Sequence, residues 1–175
     1  ERCSEILKKL TLNPSIEDDF IDRDLSIADY LNEIIKSFKE ISKKEFIVNF
    51  DQNSNSLNIT KSMEIVYGLR NFIGNANKFS KSKVFINLKS NNEITEIIIE
   101  DDGEGYSKDV LRNIGEPYIK SYKSSIKSKS GLGLGIFIGK TLLEKNYANI
   151  LCKNSETRGG AEVNIKWKNK DLLTL

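Results

Sequence analysis

Two short glycine runs constrain this chain more than anything else in it: Asp101-Asp102-Gly103-Glu104-Gly105 and Gly131-Leu132-Gly133-Leu134-Gly135. Glycine is costly inside regular structure, so glycines alternating at fixed spacing mark backbone that must approach something closely. The first run follows the apolar Ile97-Ile98-Ile99, which places an acid at the end of a strand. The second leads into Ile136-Phe137-Ile138 and reads as a helix N-terminus. Between them, residues 115–130 form a loop without periodicity, rich in Ser and Lys.

Two familiar glycine loops fail on the second run. A dinucleotide-binding fingerprint needs glycine where Ile136 stands and an apolar strand just before it, whereas residues 124–130 are polar. A P-loop would end on Gly139-Lys140-Thr141, but its first glycine falls on Leu134. What remains is a glycine-rich helix N-terminus, whose free N–H groups and dipole favour an anion.

The chain has 175 residues, which suggests one compact domain, or one domain plus an appended element. A net charge of +2 gives no field that calls for nucleic acid. No apolar run approaches the length of a membrane span. Cys3 and Cys152 are too few and too distant for a disulfide framework or a metal cluster, and a reducing cytoplasm is the natural setting. The absence of histidine removes most zinc chemistry and every Ser-His or Cys-His arrangement.

The hydrophobic pattern divides the chain into four parts. Residues 1–13 read as the tail of a longer helix, with Ile6, Leu7 and Leu10 on one face, and residues 14–25 as an acidic linker. Residues 26–168 form the main domain and 169–175 a tail. Within the domain Ser26 caps a helix bearing Ile27, Tyr30, Leu31, Ile34, Ile35 and Phe38 at helical spacing. Strands are expected at 46–50, 57–59, 84–88, 94–100, 149–153 and 161–167, and helices at 61–80, 107–113 and 131–145. This mixture predicts an α+β fold, with helices layered on one face of a mixed sheet.

Helix 61–80 carries two stripes. Asn71, Asn75 and Lys78 fall at about 0°, 40° and −20° around the axis, and Ile65, Leu69, Phe72 and Ala76 lie about 120° away. One face therefore packs on the sheet and the other presents two amides and an ammonium. Amide oxygens suit Mg²⁺ beside phosphates, and an ammonium suits phosphate as a point charge. A solvated polar face explains the same stripe equally well. Asp101 at its strand end can accept the exocyclic amino hydrogen of adenine, although an ordinary turn with surface acids has the same composition.

The order Asn-x-x-x-Asn-Ala-x-Lys-Phe, D-x-G-x-G, G-x-G-x-G resembles the Bergerat-type (GHKL) ATPase/kinase superfamily over residues 26–168. It is most similar to the catalytic ATP-binding (HATPase) domain of bacterial sensor histidine kinases. Gly115-Glu116-Pro117-Tyr118, Gly139-Lys140-Thr141-Leu142-Leu143-Glu144 and Gly159-Gly160-Ala161 resemble RegB/PrrB/ActS-type redox-responsive kinases in particular. The resemblance implies a two-layer α/β sandwich. It makes residues 1–13 the end of a dimerisation and phosphoacceptor hairpin. It also implies ATP and Mg²⁺ as cofactors, transfer of the γ-phosphate to a histidine outside this sequence, and onward transfer to a response-regulator receiver aspartate. The full-length protein would be a homodimer anchored in the bacterial inner membrane, with this domain in the cytoplasm.

On that resemblance Asn75 holds Mg²⁺ with Asn71 assisting, Lys78 touches phosphate, and Phe79 flanks the base. Asp101 binds the adenine amino group, with Gly103 and Gly105 giving access. Tyr118 belongs to the aromatic box before the lid, and Lys120 and Lys123 are lid contacts to phosphate. Ser130, Gly131, Leu132, Gly133, Leu134 and Gly135 shape the lid end and phosphate site. Gly74 stands where many relatives carry glutamate, and Gly160-Ala161 where many carry a threonine pair. Hydrolytic relatives place a glutamate at the position of Asn71, and an amide cannot serve as that general base. A serine kinase of the anti-sigma-factor kind and a non-catalytic nucleotide-binding module are the other readings. Cys3 reads either as an inert thiol or as a redox sensor, and Cys152 as packing.

Overall fold

The computed structural model describes residues 25–51, 58–59, 62–114, 116–117 and 134–173. The elements in chain order are β1 (Leu25–Ser26), α1 (Ile27–Ile41), β2 (Glu45–Phe50), β3 (Asn58–Ile59), α2 (Met63–Phe79), β4 (Lys83–Ser90), β5 (Ile94–Asp101), α3 (Lys108–Arg112), α4 (Gly135–Lys145), β6 (Asn149–Asn154), β7 (Ala161–Lys168) and α5 (Asn169–Leu172). β1 and β3 form a short antiparallel ladder, and the main sheet has the order β2-β4-β5-β7-β6. Among the described strands of that sheet only β2–β4 is parallel; the other pairs are antiparallel. The expected α+β sandwich is what forms.

Strand parity decides which side chains meet the helices. Val84, Ile86 and Leu88 of β4, Ile97 and Ile99 of β5, and Val163, Ile165 and Trp167 of β7 are buried in one cluster with the apolar faces of α1, α2 and α4. Burying each such side chain contributes about 1.5–3 kcal/mol. The opposite face is polar: Lys83–Glu45, Lys166–Glu96 and Lys153–Glu162 pair across strands at 3.1, 3.1 and 3.4 Å. Arg158 covers the ring of Phe85 there at 4.1 Å.

Local chemistry fixes the helix starts. Ser26 and Asp29 form a capping box, with Asp29 N–H donating to Ser26 Oγ at 3.2 Å and Ser26 N–H to Asp29 Oδ2 at 3.0 Å. Ser62 caps α2 and Ser107 caps α3, each accepting from the N–H three residues on at 3.3 Å. Residues 169–175 read as a tail in sequence, yet Asn169–Leu172 makes a helical turn. Leu172 is fully buried, and the Asn169 amide donates to Asn91 O at 2.6 Å while accepting from Thr95 Oγ1 at 2.9 Å. A single turn is too short to show helical periodicity, so tertiary contact decides it.

Candidate nucleotide-binding site

The site lies where α2, the start of α4 and the end of β5 meet. α2 and α4 cross in antiparallel register. A Cβ on Gly68 would strike Leu143, and one on Gly139 would sit 2.9 Å from Phe72 and 3.2 Å from the Gly68 carbonyl. One on Gly135 would lie 2.8 Å from both amide atoms of Asn75. Glycine at these three positions brings the helices together, and at the last of them it seats the Asn75 amide against the first residue of α4. Asn75 Nδ2 is buried there with no hydrogen-bond partner among the described residues. A buried donor without a partner is rare and costly, so it marks a place built for something else.

The neighbouring members of the stripe are held differently. Asn71 Nδ2 donates to the Tyr67 carbonyl at 2.8 Å, which turns Oδ1 away from its own helix. The Lys78 ammonium rests over the Phe79 ring at 5.1 Å, and Phe79 is half exposed. Leu134 precedes α4 without any side-chain cap bond, so the first-turn N–H groups of that helix have no capping side chain. Gly74 faces elsewhere: its Cβ would lie 3.3 Å from Phe38, in the α1–α2 contact.

Asp101 continues the inward stripe of Ile97 and Ile99, which explains why a carboxylate at a strand end is buried. Its Oδ1 accepts from Gly103 N–H at 2.8 Å and Ala161 N–H at 3.3 Å. A side chain on Gly160 would collide with the Asp101 backbone and carboxylate, and one on Gly103 with the Phe79 carbonyl. The Gly160-Ala161 pair thus supplies backbone, with no hydroxyl, beside Asp101. Gly105 adopts φ +74°, the left-handed region that glycine enters without penalty.

Asp102, one residue on, has a different task. It accepts from the N–H groups of Lys81, Ser82 and Lys83 at 2.8–3.0 Å and from Ser82 Oγ at 2.6 Å. Partial burial pushes its carboxyl upward, but these bonds, Ser82 foremost, outweigh that and hold it well below the usual carboxylate range. It pins the glycine run to the turn after α2. Burial pushes the Cys152 thiol up to about 11, with Lys140 opposing and Glu144 adding to the shift. It is therefore protonated and unreactive at neutral pH, in keeping with the packing role expected of it.

The structure brings Asn71, Asn75, Lys78, Phe79, Asp101, Gly103, Gly105, Leu134 and Gly135 to one region. Cys3, Tyr118, Lys120, Lys123, Ser130, Gly131, Leu132 and Gly133 lie outside the described residues. Sequence reasoning missed the wall made by Tyr106 and Asn154. Asn154 Oδ1 accepts from Tyr106 N–H at 2.6 Å and its Nδ2 donates to Tyr106 O at 3.0 Å. A lone Asn at a strand end carries no signal of such a contact.

Residues 60–171 match the family described as "Histidine kinase-, DNA gyrase B-, and HSP90-like ATPase". The sensor histidine kinase RegB of Cereibacter sphaeroides is 30% identical over 186 residues, an alignment covering 95% of this chain and 40% of RegB. The chain thus spans about two fifths of that relative. Among solved structures, the mycobacterial sensor histidine kinase MprB superposes with a TM-score of 0.68 at 19% identity, covering 82% of this chain and 96% of that one. Full-length ShkA in complex with AMPPNP gives 0.64 at 19%, covering 83% and 30%. These two show the shared fold. With its glycine-built cleft and this match over most of its length, the chain belongs to the histidine kinase-, DNA gyrase B- and HSP90-like ATPase family, as an ATP-binding catalytic domain of the sensor histidine kinase type.

Proposed function

We propose that this domain binds MgATP in the cleft between α2, α4 and Asp101, and presents the γ-phosphate to a histidine outside this sequence. The buried Asn75 Nδ2, without a partner among the described residues, carries the reading, because this hydrogen-bond donor sits beside the uncapped start of α4, where phosphate oxygens can accept from it. Bound Mg²⁺ would neutralise phosphate charge and help orient the reacting phosphoryl group. The protein donors we assign to it are amide oxygens, Asn75 with Asn71 assisting, since Mg²⁺ takes hard oxygen ligands. Lys78 leaves the Phe79 ring to meet phosphate, and the N–H groups at the start of α4 face the same charge.

Asp101 accepts the adenine amino hydrogens, with Phe79 flanking the base and Gly103 and Gly105 keeping the approach clear. Tyr118, Lys120, Lys123, Ser130 and Gly131 to Gly133 form the lid side of the phosphate site. Asn71 cannot activate water as a carboxylate would, which favours transfer to a partner over hydrolysis. The receiving imidazole must come from elsewhere, since the sequence contains no histidine. The phosphate then passes to a response-regulator aspartate. In the native protein the domain works in the cytoplasm, within a homodimer anchored in the inner membrane. Among the described residues no helix is long and apolar enough to cross a membrane.

Calorimetric titration with MgATP tests the proposal. The wild-type chain should bind, Asp101→Asn should not, and neither should acquire histidine-linked phosphate by itself. Absence of binding by the wild type would remove the nucleotide reading.

A further inference from the structure

The turn that follows α2 is held by a cation that the proposed phosphate chemistry does not use. Lys44 lies in the lead-in to β2, and its ammonium donates to the carbonyls of Ser80 and Lys81, both at 2.6 Å. The N–H groups of Lys81 and Ser82 donate to the Asp102 carboxylate at 2.8 and 3.0 Å. Two successive peptide units, 80–81 and 81–82, thus give their oxygen to Lys44 and their N–H to Asp102. In a trans peptide those two groups point in opposite directions. A cation and an anion therefore grip the turn from opposite sides, each on the matching end of the peptide dipole. Charge-assisted bonds of this length are the strong ones.

The same loop docks on the last turn of α2. Lys44 N–H donates to Ser42 Oγ at 3.0 Å, and Ser42 Oγ donates to Asn77 Oδ1 at 2.6 Å, one residue before Lys78. We infer that Lys44 is a positioning residue for the phosphate contact of Lys78: by fixing the turn just beyond it, Lys44 sets where the end of α2 presents that ammonium. This role rests on the nucleotide reading above and extends it to a residue from another element. Without Lys44 the turn is still tied down by Asp102 and by the Glu45 N–H, which donates to Ser82 O at 2.8 Å. The fold therefore survives the loss, while the Ser80 and Lys81 carbonyls are released and the last turn of α2 gains freedom. A side chain on a looser support loses more conformational entropy when it closes on phosphate.

Calorimetric affinity for MgATP, with the thermal midpoint measured alongside, tests this. Lys44→Met should weaken MgATP binding about fivefold at a temperature where the variant is folded. In a Lys78→Ala background, where no ammonium remains to be placed, the same substitution should cost less than about twofold. Lys43→Met removes the same charge one residue away, from an exposed side chain, and should also cost less than about twofold. Should Lys44→Met fail to fold, Lys44→Gln keeps an amide donor for one carbonyl and must show the same coupling to Lys78. An equal cost in both backgrounds, or an equal loss in Lys43→Met, overturns the inference and leaves the nucleotide reading intact. A wild type that does not bind MgATP overturns both.

Discussion

The two ends of the α2–α4 pair each carry an asparagine, and the two are treated in opposite ways. At the far end Asn146, almost fully buried, has every polar group engaged. Its Nδ2 donates to Glu64 Oε2 and Leu142 O at 2.8 Å, its Oδ1 accepts from Ser62 Oγ at 3.3 Å, and its carbonyl from Trp167 Nε1 at 3.0 Å. Lys145 adds a 2.6 Å ion pair to Glu64, which with the Asn146 bond draws the Glu64 carboxyl below its usual range. At the near end Asn75 Nδ2 is buried and has no hydrogen-bond partner among the described residues. The same residue type in the same helix pair is a structural hub at one end and, on the function proposed above, a ligand contact at the other. The difference is made by glycine: Gly135 brings the α4 start onto Asn75 without supplying any partner.

If that contrast is right, the two asparagines must fail differently. Asn75→Ala should lower MgATP affinity about 10- to 100-fold, the range for a bond to a charged group, while the thermal midpoint holds or rises because an unsatisfied donor is gone. A marked fall in the midpoint would break the contrast. Asn146→Ala should do the reverse, costing about 2–3 kcal/mol in urea unfolding by stranding its buried partners, with MgATP affinity of the folded protein unchanged. A variant that unfolds normally but loses ATP would count against it.

The adjacent aspartates repeat the division on a smaller scale. Asp101 faces the site, whereas Asp102 holds the turn after α2. Because the folded pKa of Asp102 lies below its ordinary 3.8, its contribution to stability is present above about pH 4 and fades as pH falls below that. Asp102→Asn should flatten the acid limb of a stability–pH curve in that window, and an unaltered limb would reassign the turn to other groups. The smallest effect belongs to Tyr147, which sits at φ 63° just past α4 with its side chain exposed. Tyr147→Gly should raise stability by roughly 0.5–1 kcal/mol, measured by thermal unfolding, and leave nucleotide affinity alone.

Much of this was legible in sequence, for reasons of range. The caps at Ser26 and Ser107, the helical stripes on α1 and α2, and the strands around Asn91 depend on contacts within a few residues, so periodicity and turn chemistry carry them. The stripe of Asn71, Asn75 and Lys78 was legible as geometry but ambiguous as purpose, since a solvated face has the same spacing. Resemblance, not spacing, is what points that stripe toward phosphate and Mg²⁺. The Asn154–Tyr106 grip and the bonds of Asn146 to Glu64 and Ser62 join residues 48, 82 and 84 positions apart, and the Gly160 contact with Asp101 is as non-local. No local pattern encodes those distances.

Sequence by itself determined which backbone positions had to be bare, among them Gly103, Gly105 and Gly135 at the candidate cleft. That follows from sterics, because glycine alone adopts a left-handed φ without penalty and admits a carbonyl pressed against its Cα. Tertiary structure alone decided what those bare positions face. Strand parity and the depth of the α2–α4 crossing turned one aspartate inward and its neighbour into a clamp, and left one asparagine without a partner while engaging the other.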